Sequence, residues 1–426
     1  MNKVKKQLQK SGISFIPEGW EYGTVADYFI LGRGRVISQE EVSKNPGVYP
    51  VYSSQSANNG EMGKIDTYDF EGEKITWTTD GAYAGTVFYR DGKYNCTNVC
   101  GVLTAKESNK IHYGYFAYLL STIAKRYVSY IGNPKLMNDV FSTIGIVIPP
   151  YNEQKKITRI LRTVDGQIKK TEATIKKYKA IKQGLMQDLF ARGIDVATAK
   201  LRPRFQDAPE LYKPSPLGMI PKEWDIDAVQ TLCSKVTDGA HFSPKPLDYG
   251  YRIGNVKDMT DYGFDYEGMT KISQKDFQEL ARQNCSPKKG DVLLSKDGTI
   301  GRVIVFNDDE QVVLLSSIAI LTPYEHINST YLGYLFKTSY FDVQLYQLQS
   351  GSALKRLVLS DIRKIKFPTP KDRKEQELIA SRLERADKLL EEEMDHRHKI
   401  QQIKKGLMSD LLSGKVRVQV DEEAVY

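Results

Sequence analysis

The chain has 426 residues, 40% hydrophobic and 27% charged, a length and balance suited to two or more globular domains with separate cores. Four cysteines in so long a chain exclude a disulfide framework, and a net charge of +8 is too mild to assign a nucleic-acid partner by itself. The basic start MNKVKKQLQK runs into SGISFIPEGW, not into an apolar stretch, so no signal peptide is expected.

In chain order, Ser11–Trp20 (SGISFIPEGW) leads into a first globular stretch with a polar, basic loop at Tyr52–Lys64 (YSSQSANNGEMGK). Strand-forming ITWTT followed by Asp80-Gly81 predicts a hairpin. Cys96 and Cys100 have the spacing of half a zinc site, but no second Cys or His pair accompanies them, so free thiols in a reducing cytoplasm are expected. A second polar loop follows at Gly132–Asp139 (GNPKLMND), then Ile148-Pro149-Pro150-Tyr151. That tetrapeptide is similar to the Pro-Pro-aromatic motif of amino-methyltransferases. Ile148, however, stands where that chemistry needs Asn or Asp, and no Gly-rich cofactor turn lies upstream. It reads as a proline-punctuated exit.

A long helix follows. Leu161, Val164, Ile168, Thr171, Ile175, Tyr178, Leu185 and Leu189 step by threes and fours, with Lys182 in one seam position. A helix of about 38 residues extends about 57 Å and needs a partner along its length. Between Asn152 and Gly193 eleven basic residues face four acidic ones, so this segment holds most of the basic excess.

The second half repeats the first. SPLGMIPKEW (Ser215–Trp224) echoes the entry, Asp297-Gly298 follows VLLSK as a second hairpin turn, and Val312–Leu321 reads as a buried strand. Loops at Asp238–Pro246 and Gly351–Asp361 precede the exit FPTP. A second helix carries Leu383, Ala386, Leu390, Glu393, Arg397, Ile400, Leu407 and Leu411, with Lys404 matching Lys182. KQGLMQDLF (Lys182–Phe190) returns as KKGLMSDLL (Lys404–Leu412), 222 residues on. The predicted fold is α+β, with two α/β domains in tandem, separated and followed by long helices that pair as an antiparallel coiled coil about a pseudo-two-fold axis. Lys169, Lys170, Lys176 and Lys177 are expected to face Glu391, Glu392, Glu393 and Asp395.

Catalytic patterns are missing from the sequence. Asp69–Lys74 (DFEGEK) lacks the spacing of a metal-dependent nuclease, no phosphate-binding Gly-x-x-x-x-Gly-Lys is present, and the five histidines are scattered, so no metal is expected. Binding remains. DNA contacts are sought at Ser53, Ser54, Gln55, Asn58, Asn59, Lys64, Thr79, Tyr83 and Lys135 in the first half. In the second half they are sought at His241, Ser243, Lys245, Lys257, Lys296, Thr299, Lys355 and Arg356.

Two divergent globular stretches, each followed by a helix ending in Gly-Leu-Met-x-Asp-Leu, resemble the specificity subunit of bacterial type I restriction–modification systems. The resemblance implies target-recognition domains at 1–150 (with an N-terminal arm) and 224–370. It implies conserved spacer helices at 151–193 and 371–415, a linker at 194–223 and a tail at 416–426. It also implies a cytoplasmic, non-catalytic reader of double-stranded DNA with a split, asymmetric site. Two modification subunits with S-adenosylmethionine would methylate adenine N6, and restriction subunits would bring ATP and Mg; this chain would bind none of these cofactors and no membrane. Leu185, Met186, Leu189, Phe190, Leu407, Met408, Leu411 and Leu412 would dock the modification subunits, or else belong to the coiled-coil core. The rival readings are a non-DNA scaffold with two binding domains on a helical spacer and a fused methyltransferase.

Overall fold

The computed structural model describes residues 3–55, 57–349 and 356–420, and they form two compact units. One unit is Met1–Ala173 with Met394–Tyr426; the other is Thr174–Glu393. Each long helix is therefore divided, giving its first half to one unit and its second half to the other.

In the first unit an antiparallel sheet has the strand order Phe29–Arg33, Cys100–Ala105, Lys74–Thr78, Val87–Arg90. Its two middle strands are buried and β-branched or aromatic, with Ile75 opposite Leu103. A mixed sheet lies in the order Glu61–Ile65, Pro46–Tyr52, Lys93–Cys96, Phe70–Glu71, and its middle pair is parallel. A ladder of Glu21–Thr24 with Gly145–Ile148 joins the entry of the domain to its exit. Ile148 is thus a ladder residue opposite Glu21, and the Pro-Pro step after it turns the chain into the helix. The N-terminal arm is helical over Lys3–Ser11; Leu8 packs with Trp20 and Val147, and Ser11 Oγ donates to the Gly145 carbonyl at 2.7 Å.

The second unit repeats this plan. Its antiparallel sheet runs Cys233–Asp238, Ile318–Pro323, Val292–Ser295, Val303–Val305. A three-stranded sheet runs Thr270–Ile272, Tyr251–Gly254, Val312–Leu314, again with one parallel pair, and Trp224–Ala228 pairs with Lys366–Pro370. The apolar run Val312–Leu321 is two strands of different sheets, not one. Leu315–Ser317 turns between them, with the Ile318 amide bonded to the Leu315 carbonyl at 3.0 Å, and Ser316 and Ser317 mark the break.

The long helices span Tyr151–Arg192 and Arg373–Ser413 and run antiparallel within each unit. In the first unit Asp165 pairs with Lys404 at 2.6 Å and Glu153 with Arg417, so rising numbers on one side meet falling numbers on the other. In the second, Asp387 pairs with Lys182 and Glu375 with Arg202. Asp165–Lys404 and Lys182–Asp387 join the helices directly, whereas Arg417 and Arg202 lie just beyond the helix ends. Lys169, Lys176, Lys177, Glu391 and Glu392 are instead exposed, because they lie off the faces the helices share.

The repeated helix ends correct an expectation. Leu189 and Phe190 sit in the core of the second unit with Trp224, Tyr331, Leu332 and Leu383. Leu411 and Leu412 sit in the core of the first with Phe116, Leu120, Ile157 and Leu161. These four are interior side chains of the chain's own units, not a free docking surface; Leu185, Met186, Leu407 and Met408 are partly buried against the same cores. The motif recurs because each helix end completes a domain core. Leu189→Ala and Leu411→Ala are each expected to cost about 2–5 kcal/mol, read by denaturant unfolding; a cost under about 0.5 kcal/mol, the range of ordinary surface changes, would refute the core assignment.

Candidate nucleic-acid interface

Parallel strands end at the same side, so the loops that leave them gather there. In the first unit Tyr52 and Cys96 are such neighbours, and the loops after them are stitched together. The Thr97 amide donates to the Tyr52 carbonyl at 2.8 Å, Thr97 Oγ1 donates to Ser53 Oγ at 3.2 Å, and the Ser53 amide donates to the Gly60 carbonyl at 2.9 Å. The hairpin turn joins them through the Thr79 amide, bonded to the Val99 carbonyl at 3.0 Å. The loop at 129–136 joins in turn, with the Leu136 amide on the Thr79 carbonyl at 2.9 Å and Trp77 Nε1 on the Leu136 carbonyl at 2.9 Å.

Side chains on this loop cluster divide by exposure. Asn58, Asn59, Lys64, Tyr83 and Lys135 are exposed; Ser53, Ser54 and Gln55 are half-buried, and Gln55 donates to the Glu61 carbonyl. Asn58 and Asn59 both adopt left-handed backbone, with φ of 47° and 57°, a conformation that asparagine tolerates better than most residues. Thr79 is 1% exposed, which corrects its assignment as a contact residue. Its backbone links two loops while its side chain faces inward.

Arg90 was not singled out by the sequence. It is buried beneath the Ser53–Gly60 loop, its guanidinium 3.5 Å from the Tyr52 ring centre, with Nε donating to Thr76 Oγ1 at 3.1 Å. Nη1 has no hydrogen-bond partner, and burial holds the group's pKa below the usual arginine value. Nothing in the strand sequence VFYR distinguishes it from a surface arginine.

The second unit gathers equivalent loops. The Leu315 amide donates to the Gly254 carbonyl at 2.9 Å, Ser316 to Ala240 at 2.8 Å, Lys296 to Ser317 at 2.9 Å and Leu357 to Lys296 at 2.9 Å. Ser317 Oγ donates to Asn255 Oδ1 at 2.9 Å. His241, Ser243, Lys245, Lys257, Thr299 and Arg356 are exposed, and Lys355 lies outside the described residues. Lys296 is a second correction. It is 2% exposed, and its ammonium lies 3.2 Å from Asp238 Oδ2 and 3.3 Å from Asp297 Oδ2. Asp297 also accepts from Arg356 at 3.0 Å, and Asp238 faces His241 Nε2 at 3.3 Å. Lys296 is a buried post between two carboxylates that also hold the exposed Arg356 and His241. The sequence showed its neighbour Asp297 but not Asp238, which is 58 residues away.

Among the described residues no group of three His, Cys, Asp or Glu side chains could hold a metal ion, and no helix is long and apolar enough to cross a membrane. Cys96 and Cys100 are buried; a hydrogen bond with Cys100, followed by burial, pushes the Cys96 thiol upward, so it stays protonated. Lys296→Met is expected to leave the half-buried Asp238 and Asp297 each short of a partner and to cost about 1–3 kcal/mol. Denaturant unfolding reads that cost, and full stability would mean the carboxylates do not depend on it.

Known proteins match this architecture. The type I restriction modification DNA specificity domain matches residues 17–179 and 247–405. The type I restriction enzyme MjaVIII specificity subunit of Methanocaldococcus jannaschii is 26% identical over 420 residues, 95% of this chain and 94% of that one. The type I restriction enzyme MpnII specificity subunit of Mycoplasma pneumoniae is 44% identical over 138 residues, 32% of this chain and 41% of the relative. The crystal structure of a type I restriction–modification S subunit from M. genitalium shares the fold, with a TM-score of 0.60 over 94% of this chain and 97% of that one at 14% identity.

Proposed function

The chain belongs to the type I restriction–modification DNA specificity family, and we propose that it reads a bipartite, asymmetric DNA site and positions adenine-N6 modification subunits and restriction subunits on it. Residues 1–150 and 224–370 are the two recognition domains, and the helices at 151–193 and 371–415 set the gap between half-sites. One observation carries the reading: two domains built on one plan present different side chains from the same loop cluster. Where the first offers Asn58, Asn59, Tyr83 and Lys135, the second offers His241, Lys245, Lys257 and Arg356. A shared scaffold with different exposed donors suits two different base sequences read in one way.

The chain itself supplies binding and position. S-adenosylmethionine, ATP and Mg belong to the partner subunits, which do the chemistry. Leu185, Met186, Leu407 and Met408, only partly buried at the helix ends, are the positions left for docking modification subunits. The exposed cations Lys135 and Arg356 sit at equivalent places, one beside Asp80 and one beside Asp297, and each is assigned a phosphate.

Mapping N6-methyladenine across the genome, with and without this gene, tests the reading. Loss of one split, asymmetric motif is expected, and an unchanged pattern in a modifying strain would sink it in favour of a non-DNA scaffold. In binding titrations with the mapped duplex, Lys135→Ala and Arg356→Ala are each expected to reduce the salt slope of log K by about 1. An unaltered slope in both would remove the phosphate assignment.

A further inference from the structure

The first unit presents an apolar loop tip that neither its core nor its fold uses. Ile131 is 94% exposed and Tyr130 is 69% exposed, at the apex of the loop between the buried residues Val128 and Leu136. A single isoleucine on a surface is ordinary. Two features set this one apart: its mounting and its place.

The loop is held at its base by a reciprocal pair of backbone bonds, Ser129 to Lys135 and Lys135 to Ser129, both 2.9 Å. Gly132, with φ of +74° and open space around it, makes the turn at the tip. The hairpin turn braces one side: the Gly81 amide donates to the Pro134 carbonyl at 3.0 Å, and Asn133 Nδ2 donates to Asp80 Oδ1 at 2.6 Å. The bracing turn carries Tyr83, 50% exposed. The tip therefore stands on the same stitched loop cluster as Asn58, Asn59 and Lys135, and an exposed lysine marks its base. A braced apolar tip next to a cation and polar base-reading groups is how proteins open a base step: the cation holds a phosphate while the apolar side chain enters the stack.

We infer that Ile131 is a wedge that inserts between two stacked base pairs at the first half-site, with Tyr130 and Tyr83 covering the opened step. The inference rests on the DNA-reading function proposed above. It adds a role to reading. A methyltransferase acting on an exocyclic amine must have its base outside the stack, and a step already loosened lowers the cost of extrusion. This chain, though it carries no chemistry, thereby prepares its first half-site for the modification subunit.

The test uses the full chain with its modification subunit and a duplex bearing the mapped site, with 2-aminopurine placed in turn at each position of the first half-site. Wild type is expected to raise fluorescence several-fold at one step. Ile131→Ala should abolish the rise and weaken binding about tenfold, with an unchanged salt slope because no phosphate contact is lost. Ile131→Met should keep most of the signal. Because the side chain is exposed, matching thermal unfolding curves are expected for all three proteins. Selective binding by wild type without a rise at any step, or an equal rise from Ile131→Ala, overturns the wedge and leaves the reading function standing. Failure of wild type to bind the mapped site selectively overturns both.

Discussion

Each long helix begins with a buried carboxylate, and the rest of each unit is assembled around it. Glu153 accepts from Trp20 Nε1 at 3.2 Å and from two nitrogens of Arg417, one at 3.0 Å. Glu375 accepts from Trp224 Nε1 at 3.1 Å, from the Ile194 amide at 2.8 Å and from both terminal nitrogens of Arg202, one at 3.0 Å. A carboxylate taken out of water costs several kcal/mol unless its lone pairs are filled, and a forked guanidinium with an indole fills them. The carboxylate comes from the helix, and its donors come from two other places in the chain: the domain entry (the tryptophan) and the segment that follows the other long helix (the arginine). One side chain thus fixes where a domain begins, where its helix starts and which returning segment closes the unit.

The next residue extends the same logic. Gln154 donates to the Lys110 and Pro149 carbonyls at 2.9 and 2.8 Å and accepts from the His112 amide at 2.8 Å. Gln376 does the same with Pro370 at 3.0 Å and the Asn328 amide at 2.8 Å. Farther along, Asp165 takes Lys404 and the Tyr118 hydroxyl, and Asp387 takes Lys182 and the Tyr334 hydroxyl. Burial, reinforced by the bonded carboxylate, pushes both tyrosines well above their ordinary value, so they act as permanent donors. The lysine that interrupts each apolar seam is the partner of this aspartate on the opposing helix. A seam of leucines alone would stick in several registers; a paired lysine and aspartate favour one.

The long helices, the tandem repeat and the family resemblance were legible because they rest on periodicity and on spacing repeated over many residues. The Trp-to-Glu contact was not visible in the sequence, since the bond joins residues 133 apart. Leu411 illustrates a deeper ambiguity. An apolar stripe at a helix end has the same pattern whether it fills the chain's own core or meets a partner, and only the three-dimensional neighbours decide. Lys296 fails for a related reason: a lysine beside Asp and Gly reads as a loop cation until a carboxylate from another strand covers it. Arg90 could not be found at all, because its burial depends on the Ser53–Gly60 loop folding over it.

Arg90 also shows how one plan yields two differently charged loop clusters. Val87 pairs opposite Trp77 as Val303 pairs opposite Leu294, which places Arg90 at the position of Phe306. Both are buried, but Phe306 joins an apolar cluster with Leu293, Ile304 and Leu314, whereas Arg90 keeps a full charge with no carboxylate bonded to it among the described residues. A buried, poorly screened cation raises the potential of the loop above it far more than a surface lysine does. The loop over Arg90 carries serine, glutamine and asparagine, side chains with little field of their own, so the charge beneath supplies it. In the second unit the apolar position is matched by cations on the outside, Lys257 beside Asp258 and Arg356 beside Asp297. Under the proposed reading, a buried charge adds to the exposed Lys64 and Lys135 in one domain, whereas the other draws a polyanion from its rim alone. Neutral amides over a buried charge keep the hydrogen-bonding freedom that base edges demand, and a rim of lysine and arginine favours guanine edges and phosphate.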